Sequence, residues 1–379
     1  MIKSISSKSL GPLVLLLLTA LFSLTFFYST TLWQTYDRKS KSAAISQSQG
    51  YIANTASSLN STYTQWEQCL DPGQNPSYYL SIVVVTRMDD YAGGQHHRLQ
   101  NFIDSAYLLA ERTRENIELL IVEWNPPDDR RGVIDAFRFR RSGYLTYRII
   151  TVSNKVHHVL PNRGNSPLHE FEGKNVGIRF ARGEFVVCTN QDDIWSHNFH
   201  NAVQSRVFEK GIIYLQHQDV HNMQLPPSIV RVPPFADDTV LYNSCRLGNQ
   251  VWGQFSLPTP LDVTTSRGFH LGHRDTWKIP RGYREEGGVA WMDVEFICTA
   301  AWTFDLQVVY SEKGFTCHQE HKNVWELNKE QHNDKNISLE DIRDKKIAYV
   351  NKENNWALQQ LDIWELELGC IEFRGGLNQ

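Results

Sequence analysis

Strand-like and helix-like patterns alternate through the middle of this 379-residue chain. The β-branched run at 79–86 has the length and composition of a buried strand. Apolar residues at three-and-four spacing over 99–110 predict an amphipathic helix. The same alternation continues with predicted strands at 117–124, 145–152 and 184–189 and a predicted helix at 169–182. Alternation of this kind predicts an α/β fold with a mostly parallel central sheet.

Polar and acidic residues follow three of the predicted strands, at 86–90, 123–127 and 190–193. In open parallel sheets, ligands bind beyond the carboxyl ends of the strands, so these segments are expected to form a site. The adjacent carboxylates Asp192 and Asp193, preceded by Asn190, offer hard oxygen ligands suited to Mg²⁺ or Mn²⁺. The alternative is a polar turn in which Asp193 or Ser196 caps the next helix.

The residues around this acidic pair carry a family resemblance. They read Gly173-Lys174-Asn175-Val176-Gly177, then Ala181-Arg182-Gly183-Glu184, then Asn190-Gln191-Asp192-Asp193. This string resembles the family 2 type of nucleotide-sugar glycosyltransferases, whose Lys/Arg-Asn-x-Gly helix and Ala-x-Gly-Glu strand lead into an Asp-x-Asp motif. The Ser/Thr-rich start of that pattern is absent here, and the resemblance covers about residues 80 to 321.

The resemblance implies a single GT-A domain that moves a sugar, with inversion, from a nucleotide-diphosphate donor to a glycan or glycoconjugate acceptor. It also implies a donor site formed by Thr86, Arg87, Asp89, Glu123, Lys174, Asn175 and Asn190. Asp192 and Asp193 would hold Mn²⁺ or Mg²⁺ against the diphosphate. Asn190 departs from the pattern, because many relatives have Asp at this position, and an amide is the weaker ligand.

The downstream half supplies candidates for the remaining roles. His318 and His321 follow a strand-like segment at 306–310, where the family often has a histidine that completes the metal or diphosphate site. A surface pair of histidines is the alternative, since the chain has 14 His. Inverting transfer also requires a carboxylate base for the acceptor hydroxyl. The candidates are Asp293, which is our first choice, Glu285, Glu286 and Glu295; the alternative for Asp293 is a helix cap.

Other function classes lose support from the composition. A net charge of −4 gives no basic field for nucleic acid, and the chain lacks the phosphate-binding loop and dinucleotide-binding glycine motifs. Two rivals stay open. One is a membrane-tethered protein of the same fold that binds nucleotide sugar or carbohydrate without catalysis, which Asn190 favours. The other is a glycosidase with paired carboxylates.

An uncharged, leucine-rich stretch lies at 9–36. It is long enough to cross a bilayer, and we predict a transmembrane signal anchor at 11–33 after a cytoplasmic tail at 1–10; a cleaved signal peptide is the alternative. A Ser/Thr/Gln-rich stem at 34–77 would lead to the GT-A domain at 78–325 and a C-terminal helical extension at 326–379.

This order predicts a single-pass type II membrane protein of the Golgi with a lumenal catalytic domain. The sequons at Asn60 and Asn336 would be usable in that orientation. Six scattered cysteines without a C-x-x-C pair exclude a zinc ribbon and permit one or two disulfides, with Cys188 as a buried free thiol.

Overall fold

The computed structural model describes residues 66–160, 166–216, 229–248, 268–285, 292–311, 314–322, 338–347, 349–353, 355–361 and 368–378. They belong to one compact unit, Ser61–Gln379. The predicted tail, membrane segment, most of the stem and both sequons lie outside these ranges. Within them, no helix combines the length and the apolar character needed to cross a membrane.

The central sheet and a smaller second sheet are built from short, mostly buried strands. The strands are β1 (Tyr78–Thr86), β2 (Ile117–Trp124), β3 (Leu145–Val152), β4 (Gly183–Cys188), β5 (Asp193–Trp195), β6 (Ile212–Gln216), β7 (Ile229–Val230), β8 (His270–His273), β9 (Gln307–Ser311), β10 (Thr316–Gln319) and β11 (Gly369–Phe373).

Helices connect and cover these strands. They are α1 (Trp66–Cys69), α2 (Gln95–Thr113), α3 (Val133–Ala136), α4 (Asn154–Val159), α5 (Glu170–Phe180), α6 (His197–Gln204), α7 (Asp238–Ser244), α8 (Arg274–Lys278), α9 (Met292–Cys298), which continues as a π-helix (Thr299–Thr303), and α10 (Leu339–Arg343).

The described strands form a central sheet in the order β11-β3-β2-β1-β4-β8-β6-β9. Its middle, β3-β2-β1-β4, is parallel throughout, whereas β8 and β11 run antiparallel to their neighbours. The predicted α/β class, the four middle strands and the helices at α2 and α5 are confirmed. The middle strands are hydrophobic runs because both faces are buried.

Helix α5 lies against β1 at unusually close range. A Cβ atom on Gly177 would lie 2.2 Å from Val83 Cγ1, and one on Gly173 would lie 2.7 Å from Val85 Cγ1. The glycines of the Gly173-x-x-x-Gly177 repeat therefore let the helix backbone approach the strand. This contact fixes where Lys174 and Asn175 emerge relative to the sheet edge.

A small sheet, β5-β10-β7, lies at the carboxyl end of β4. Strand β10 pairs antiparallel with β5, so that His318 stands opposite Asp193 and Cys317 opposite Ile194. A disulfide joins Cys317 to Cys245. This sheet brings residues about 125 positions apart in sequence into one site.

Both ends of the predicted domain need correction. The stem was expected to reach residue 77, but Cys69 is fully buried and forms a disulfide with Cys370. The Cys69 carbonyl also accepts a hydrogen bond from Arg148, a buried arginine of β3. The predicted C-terminal helical extension contains the short helix α10, but it also contributes β11, which pairs with β3 at the sheet edge. This strand was not predicted.

Candidate active site

The polar segments after β1 and β4 meet at the carboxyl edge of the central sheet. Thr86, the last residue of β1, is fully buried, and its hydroxyl oxygen accepts a hydrogen bond from Gln95 Nε2 at 3.1 Å. The same amide donates to Gln191 Oε1, between the two acidic-motif positions, at 2.9 Å. Gln95 therefore ties the end of β1 to the segment that follows β4.

Asp192, His318 and His321 form a cluster that we call the metal cluster. One potential ligand atom from each side chain lies within 4.8 Å of the others. His318 Nε2 and His321 Nε2 are 2.9 Å apart, and His321 Nε2 is 3.3 Å from Asp192 Oδ2. Two ligands at about 2.1 Å and right angles around one ion would be about 3.0 Å apart. The side chains therefore fit a divalent ion, and their imidazoles favour a transition metal over Mg²⁺.

The charged side chains of the metal cluster shift one another's pKa values toward the ionised forms. Burial would raise the pKa of Asp192, but His318, His321 and Arg98 outweigh it and lower the pKa to about 2. Burial would lower the pKa of His318, but Asp192 and Asp193 outweigh it and raise the pKa to about 9. Without a bound cation, the cluster is held together as an ion pair. A cation that binds there takes the place of the imidazolium charge.

Asp193 and Asp192 are both buried, but their carboxylates face different partners. The Asp193 side chain is 2% exposed and lies within β5, where it faces Thr189 and His318. It is therefore not the helix cap that the alternative proposed. Ser196 takes that role, because its hydroxyl oxygen accepts a hydrogen bond from Phe199 N at the start of α6.

Arg98 is a functional candidate that sequence reasoning missed. Its side chain is 2% exposed, and Nε lies 3.6 Å from Asp192 Oδ2. The guanidinium also donates to the carbonyl oxygens of Tyr91, at 2.7 Å, and of Gly93. One buried arginine thus joins the metal cluster to the loop after β1. The sequence signal that could have identified Arg98 is its charge, at a position directly before the apolar residues of α2.

The loop after β1 covers the metal cluster in a conformation rich in left-handed residues. Positive φ angles occur at Met88, Asp90 and Ala92, and then at Gly93 and Gly94. A reciprocal pair of backbone-to-side-chain hydrogen bonds links Asp90 with Gln95. The Tyr91 ring stands edge-on to His321, with centroids 5.6 Å apart. This loop places predicted donor residues beside the cluster.

The predicted donor residues on this loop and on β2 differ in their surroundings. Arg87 and Asp89 form a partly exposed ion pair at 3.1 Å, so both remain reachable from solvent. Glu123 is buried, which raises its pKa. Its two oxygens accept hydrogen bonds from Val133 N, at 2.8 Å, and from Thr151 Oγ1, at 3.1 Å. Glu123 thus holds the start of α3.

The residues on α5 and after β4 that were predicted to bind the sugar donor mainly make contacts with other protein groups. Lys174 is buried and pairs with Glu170 at 2.7 Å. Asn175 Nδ2 donates to Tyr283 O, at 2.7 Å, and its Oδ1 accepts from Tyr283 N, at 2.9 Å. These bonds fix the turn at 281–285. Asn190 lies at the motif, where its backbone N–H donates to Asp193 Oδ2 at 3.3 Å.

Three of the four predicted base candidates lie within the described residues; these acceptor-side acids, as we call them, are Glu285, Asp293 and Glu295. Glu295 forms a bidentate ion pair with Arg284 at 2.5 and 2.9 Å, and both side chains are 1% exposed. Because both oxygens of Glu295 bind Arg284, this carboxylate is poorly placed to take the proton of the acceptor hydroxyl. Glu286, named as a further candidate, lies outside the described residues.

Glu285 is the second acid with internal partners. Its Oε1 accepts hydrogen bonds from Asn175 Nδ2, at 2.8 Å, and Ala357 N, at 2.6 Å. Burial and the charge of Glu172 raise the pKa of Glu285 to about 8. The carboxyl group is therefore mainly protonated at neutral pH, and it is more ready to give up a proton than to take one.

Asp293 lies at the start of α9, near a buried polar cluster. Its Oδ1 accepts a hydrogen bond from Val294 N at 2.9 Å. Burial would lower the pKa of Lys174, but Glu170 and, more weakly, Asp293 raise it, which places Asp293 within electrostatic reach of Lys174. Nearby, His270 Nδ1 pairs with the Tyr283 hydroxyl at 2.8 Å, and burial lowers the pKa of His270 to about 3.

Comparisons with known proteins give only remote likenesses. No protein-family model matches the chain, and no curated protein sequence matches it. A crystal structure of residues 1–349 of TarS from S. aureus matches with a TM-score of 0.37 and 14% identity. That match covers 63% of this chain and 60% of the TarS chain.

Two further solved structures are of Drosophila beta1,4-galactosyltransferase 7. The catalytic domain in complex with xylobiose matches with a TM-score of 0.29 and 14% identity, and the match covers 69% of this chain and 82% of that one. A mutant in complex with manganese, UDP-Gal and xylobiose matches with a TM-score of 0.30 and 13% identity, over 69% and 83%. At TM-scores this low, likeness establishes neither a shared fold nor a shared activity.

Proposed function

We propose that this chain is a metal-assisted, inverting glycosyltransferase of GT-A type, with a nucleotide-diphosphate sugar as donor and a glycan or glycoconjugate as acceptor. The observation that carries the proposal is the convergence of Asp192, His318 and His321 beside Thr86. These side chains come from three separate segments, and they meet at the sheet edge where such folds bind ligands. The motif string from Gly173 to Asp193 supports the same assignment.

In this proposal, Asp192, His318 and His321 hold Mn²⁺ or, less favourably, Mg²⁺. The cation would neutralise charge on the diphosphate as it leaves. Arg98 keeps the loop after β1 in place beside Asp192, so that Asp89 can reach the nucleoside, while the buried Thr86 supports this edge through Gln95. Glu123 supports this edge by holding α3.

Asp293 is the proposed base. It would accept the proton of the acceptor hydroxyl as that oxygen attacks the anomeric carbon opposite the diphosphate. The internal ion pair of Glu295 and the raised pKa of Glu285 support this choice over the other two acids. Asp293 also lies within electrostatic reach of the Lys174 ammonium.

A donor screen on the full-length chain tests the proposal. Purified protein would be incubated with Mn²⁺ and each of several UDP- and GDP-sugars, and release of the nucleotide diphosphate would be measured with and without saccharide acceptors. We expect release from one donor class, and its loss in Asp192→Ala and Asp293→Asn variants that keep the wild-type circular dichroism spectrum. Full activity in both variants would contradict the assignment.

The non-catalytic rival is kept because Asn190 stands where many enzymes of the resembling family have Asp. It predicts that a nucleotide sugar binds in calorimetry with Mn²⁺ but is not consumed. Binding with turnover would exclude the rival, and binding without turnover for every donor and acceptor would favour it.

We also propose that the domain is lumenal, anchored by the segment at 11–33 of a type II Golgi protein. The disulfides Cys69–Cys370 and Cys245–Cys317 support an oxidising compartment, while Cys188 and Cys298 are free and buried. The predicted free thiol at Cys188 is thereby confirmed. Protease protection of the domain in sealed microsomes would test the orientation; digestion without detergent would contradict it.

A further inference from the structure

We propose that Asp193 is a positioning residue for His318 and not a ligand of the metal. It would hold the Nδ1 side of the imidazole so that Nε2 is the atom presented to the ion. The inference rests on the proposed metal site and changes the role that the sequence suggested for Asp193. It gives the two adjacent aspartates different roles.

The first support is the position of Asp193 in the small sheet. Asp193 and His318 are directly opposite in the antiparallel ladder of β5 and β10. Side chains at opposite positions of such a ladder project to the same face and lie in contact. The preceding residue, Asp192, lies just outside β5 and turns its carboxylate toward His321 and Arg98.

The second support is the hydrogen bonding of the Asp193 carboxylate. Oδ2 accepts from Thr189 Oγ1, at 2.5 Å, and from Asn190 N, at 3.3 Å. Oδ1 faces His318 Nδ1 at 3.1 Å. The end of β4 thus fixes one oxygen, and the other is left to orient the ring. Both oxygens of Asp193 therefore already face protein groups.

The third support is the geometry on the other side of the ring. A neutral imidazole has one N–H donor and one lone-pair acceptor. With Nδ1–H directed at Asp193, Nε2 is the nitrogen directed at His321 Nε2, 2.9 Å away, and in the neutral ring that binds a metal this atom carries the lone pair. Asp192 Oδ1 is a more distant neighbour of Nδ1, at 3.4 Å, so Asp193 is the closer acceptor. Carboxylate-to-histidine-to-metal chains of this kind fix both the tautomer and the ring orientation.

Mn²⁺ titration of the full-length chain tests the inference. The dissociation constant would be measured by electron paramagnetic resonance for the wild type and for Asp193→Asn, Asp193→Ala and Asp192→Asn. Loss of an outer-shell partner of this kind weakens metal binding by about 10- to 100-fold. We expect that range for Asp193→Ala, a smaller loss for Asp193→Asn, and loss of measurable binding for Asp192→Asn.

The matched control is Asp104→Asn. Asp104 is also a buried aspartate, paired with Arg138 at 3.0 Å, and it has no contact with the metal cluster. We expect an unchanged Mn²⁺ dissociation constant. If Asp193→Ala does not fold, the isosteric Asp193→Asn variant decides the question.

A second measurement distinguishes a changed orientation of the His318 ring from a general loss of protein stability. With Zn²⁺ as a diamagnetic probe, ¹⁵N chemical shifts would identify which ring nitrogen of His318 carries hydrogen, with assignment from a His318→Gln variant. We expect hydrogen on Nδ1 in the wild type and a loss of that preference in Asp193→Ala. A general loss of stability would not change the tautomer.

The outcomes are distinguishable. If the wild type binds Mn²⁺ and folded Asp193 variants bind it equally well, the positioning role is wrong and the proposed metal site stands. If the wild type does not bind Mn²⁺, both the metal site and the positioning role are wrong.

Discussion

The metal cluster and the acceptor-side acids contain the same kinds of side chain but differ in what those side chains face. In the metal cluster, Asp192 turns toward two imidazoles whose nitrogens face one another at 2.9 Å. Among the acceptor-side acids, Glu295 is closed off by Arg284, and Glu285 is used by Asn175 and an amide. One region has ligand atoms that converge on a common point, whereas the other uses two of its acids to hold the protein together.

This difference shows that the partner of a carboxylate decides its role more than its place in a motif does. The charges of His318 and Arg98 and the hydrogen bond from His321 outweigh burial and lower the pKa of Asp192, which keeps its carboxylate ionised and able to bind a cation. A bidentate arginine makes Glu295 part of the framework instead.

The largest effect is expected for Asp192→Asn. The amide keeps the size of the side chain and removes the charge that pairs with His318 and Arg98. Because outer-shell changes alone weaken metal binding by about 10- to 100-fold, we expect the loss of a ligand to exceed about 100-fold. Calorimetric titration with Mn²⁺ measures it, with Asp104→Asn as control. If the variant bound Mn²⁺ with wild-type affinity, Asp192 would not be a ligand of the metal.

A loss of stability is expected for Glu295→Gln. The substitution leaves the Arg284 guanidinium buried and without its charged partner, and breaking a buried pair costs about 3–5 kcal/mol. Urea unfolding measures the change in free energy. The double variant Glu295→Leu/Arg284→Met removes both charges and should lose less.

The same variant tests the base assignment. Because Glu295 is placed in the framework, the folded fraction of Glu295→Gln should keep its turnover number. Normal stability with no turnover would instead make Glu295 the base.

A pH-dependent effect on stability is expected for Glu285→Gln. The folded-state pKa of about 8 exceeds the ordinary value of 4.5, so the folded protein binds this proton more tightly than the unfolded chain. The resulting stability is fully present below about pH 4.5 and is lost as the pH rises through about 8.

Gln stays neutral and avoids that loss. The variant should therefore match the wild type near pH 4 and exceed it by about 3 to 5 kcal/mol at pH 9. Urea unfolding at a series of pH values measures the difference. A difference that does not vary with pH would contradict the raised pKa.

Much of the fold could be predicted because its signals are local. The hydrophobic runs of β1, β2, β3 and β4 mark strands buried on both faces, and the residues after them were expected at one edge. Asp192 was identified from its position after β4 together with the family resemblance of the residues around it. The strand β11 was not identified, because its pairing with β3 depends on contacts across more than 200 residues.

The missed features of the site are pairings between distant segments. No spacing in the sequence shows that Arg98 reaches Asp192 or that Arg284 closes on Glu295. The separate roles of Asp192 and Asp193 depend on the register of β5 against β10. Sequence patterns supplied the residue types, whereas tertiary contacts decided which of these residues remain open to ligands.

The smallest effect is expected for Asn190→Asp, which restores the acid common in the resembling family. Asn190 Nδ2 lies 2.7 Å from the position that a Cβ atom on Gly268 would occupy, so its amide group lies against that glycine. A carboxylate in this orientation would contribute to the cluster mainly as a nearby charge. We expect the Mn²⁺ dissociation constant to fall by less than about threefold, which is under 1 kcal/mol. A gain above about tenfold would instead show that position 190 reaches the ion, and the boundary of the metal cluster would then include the first residue of the motif.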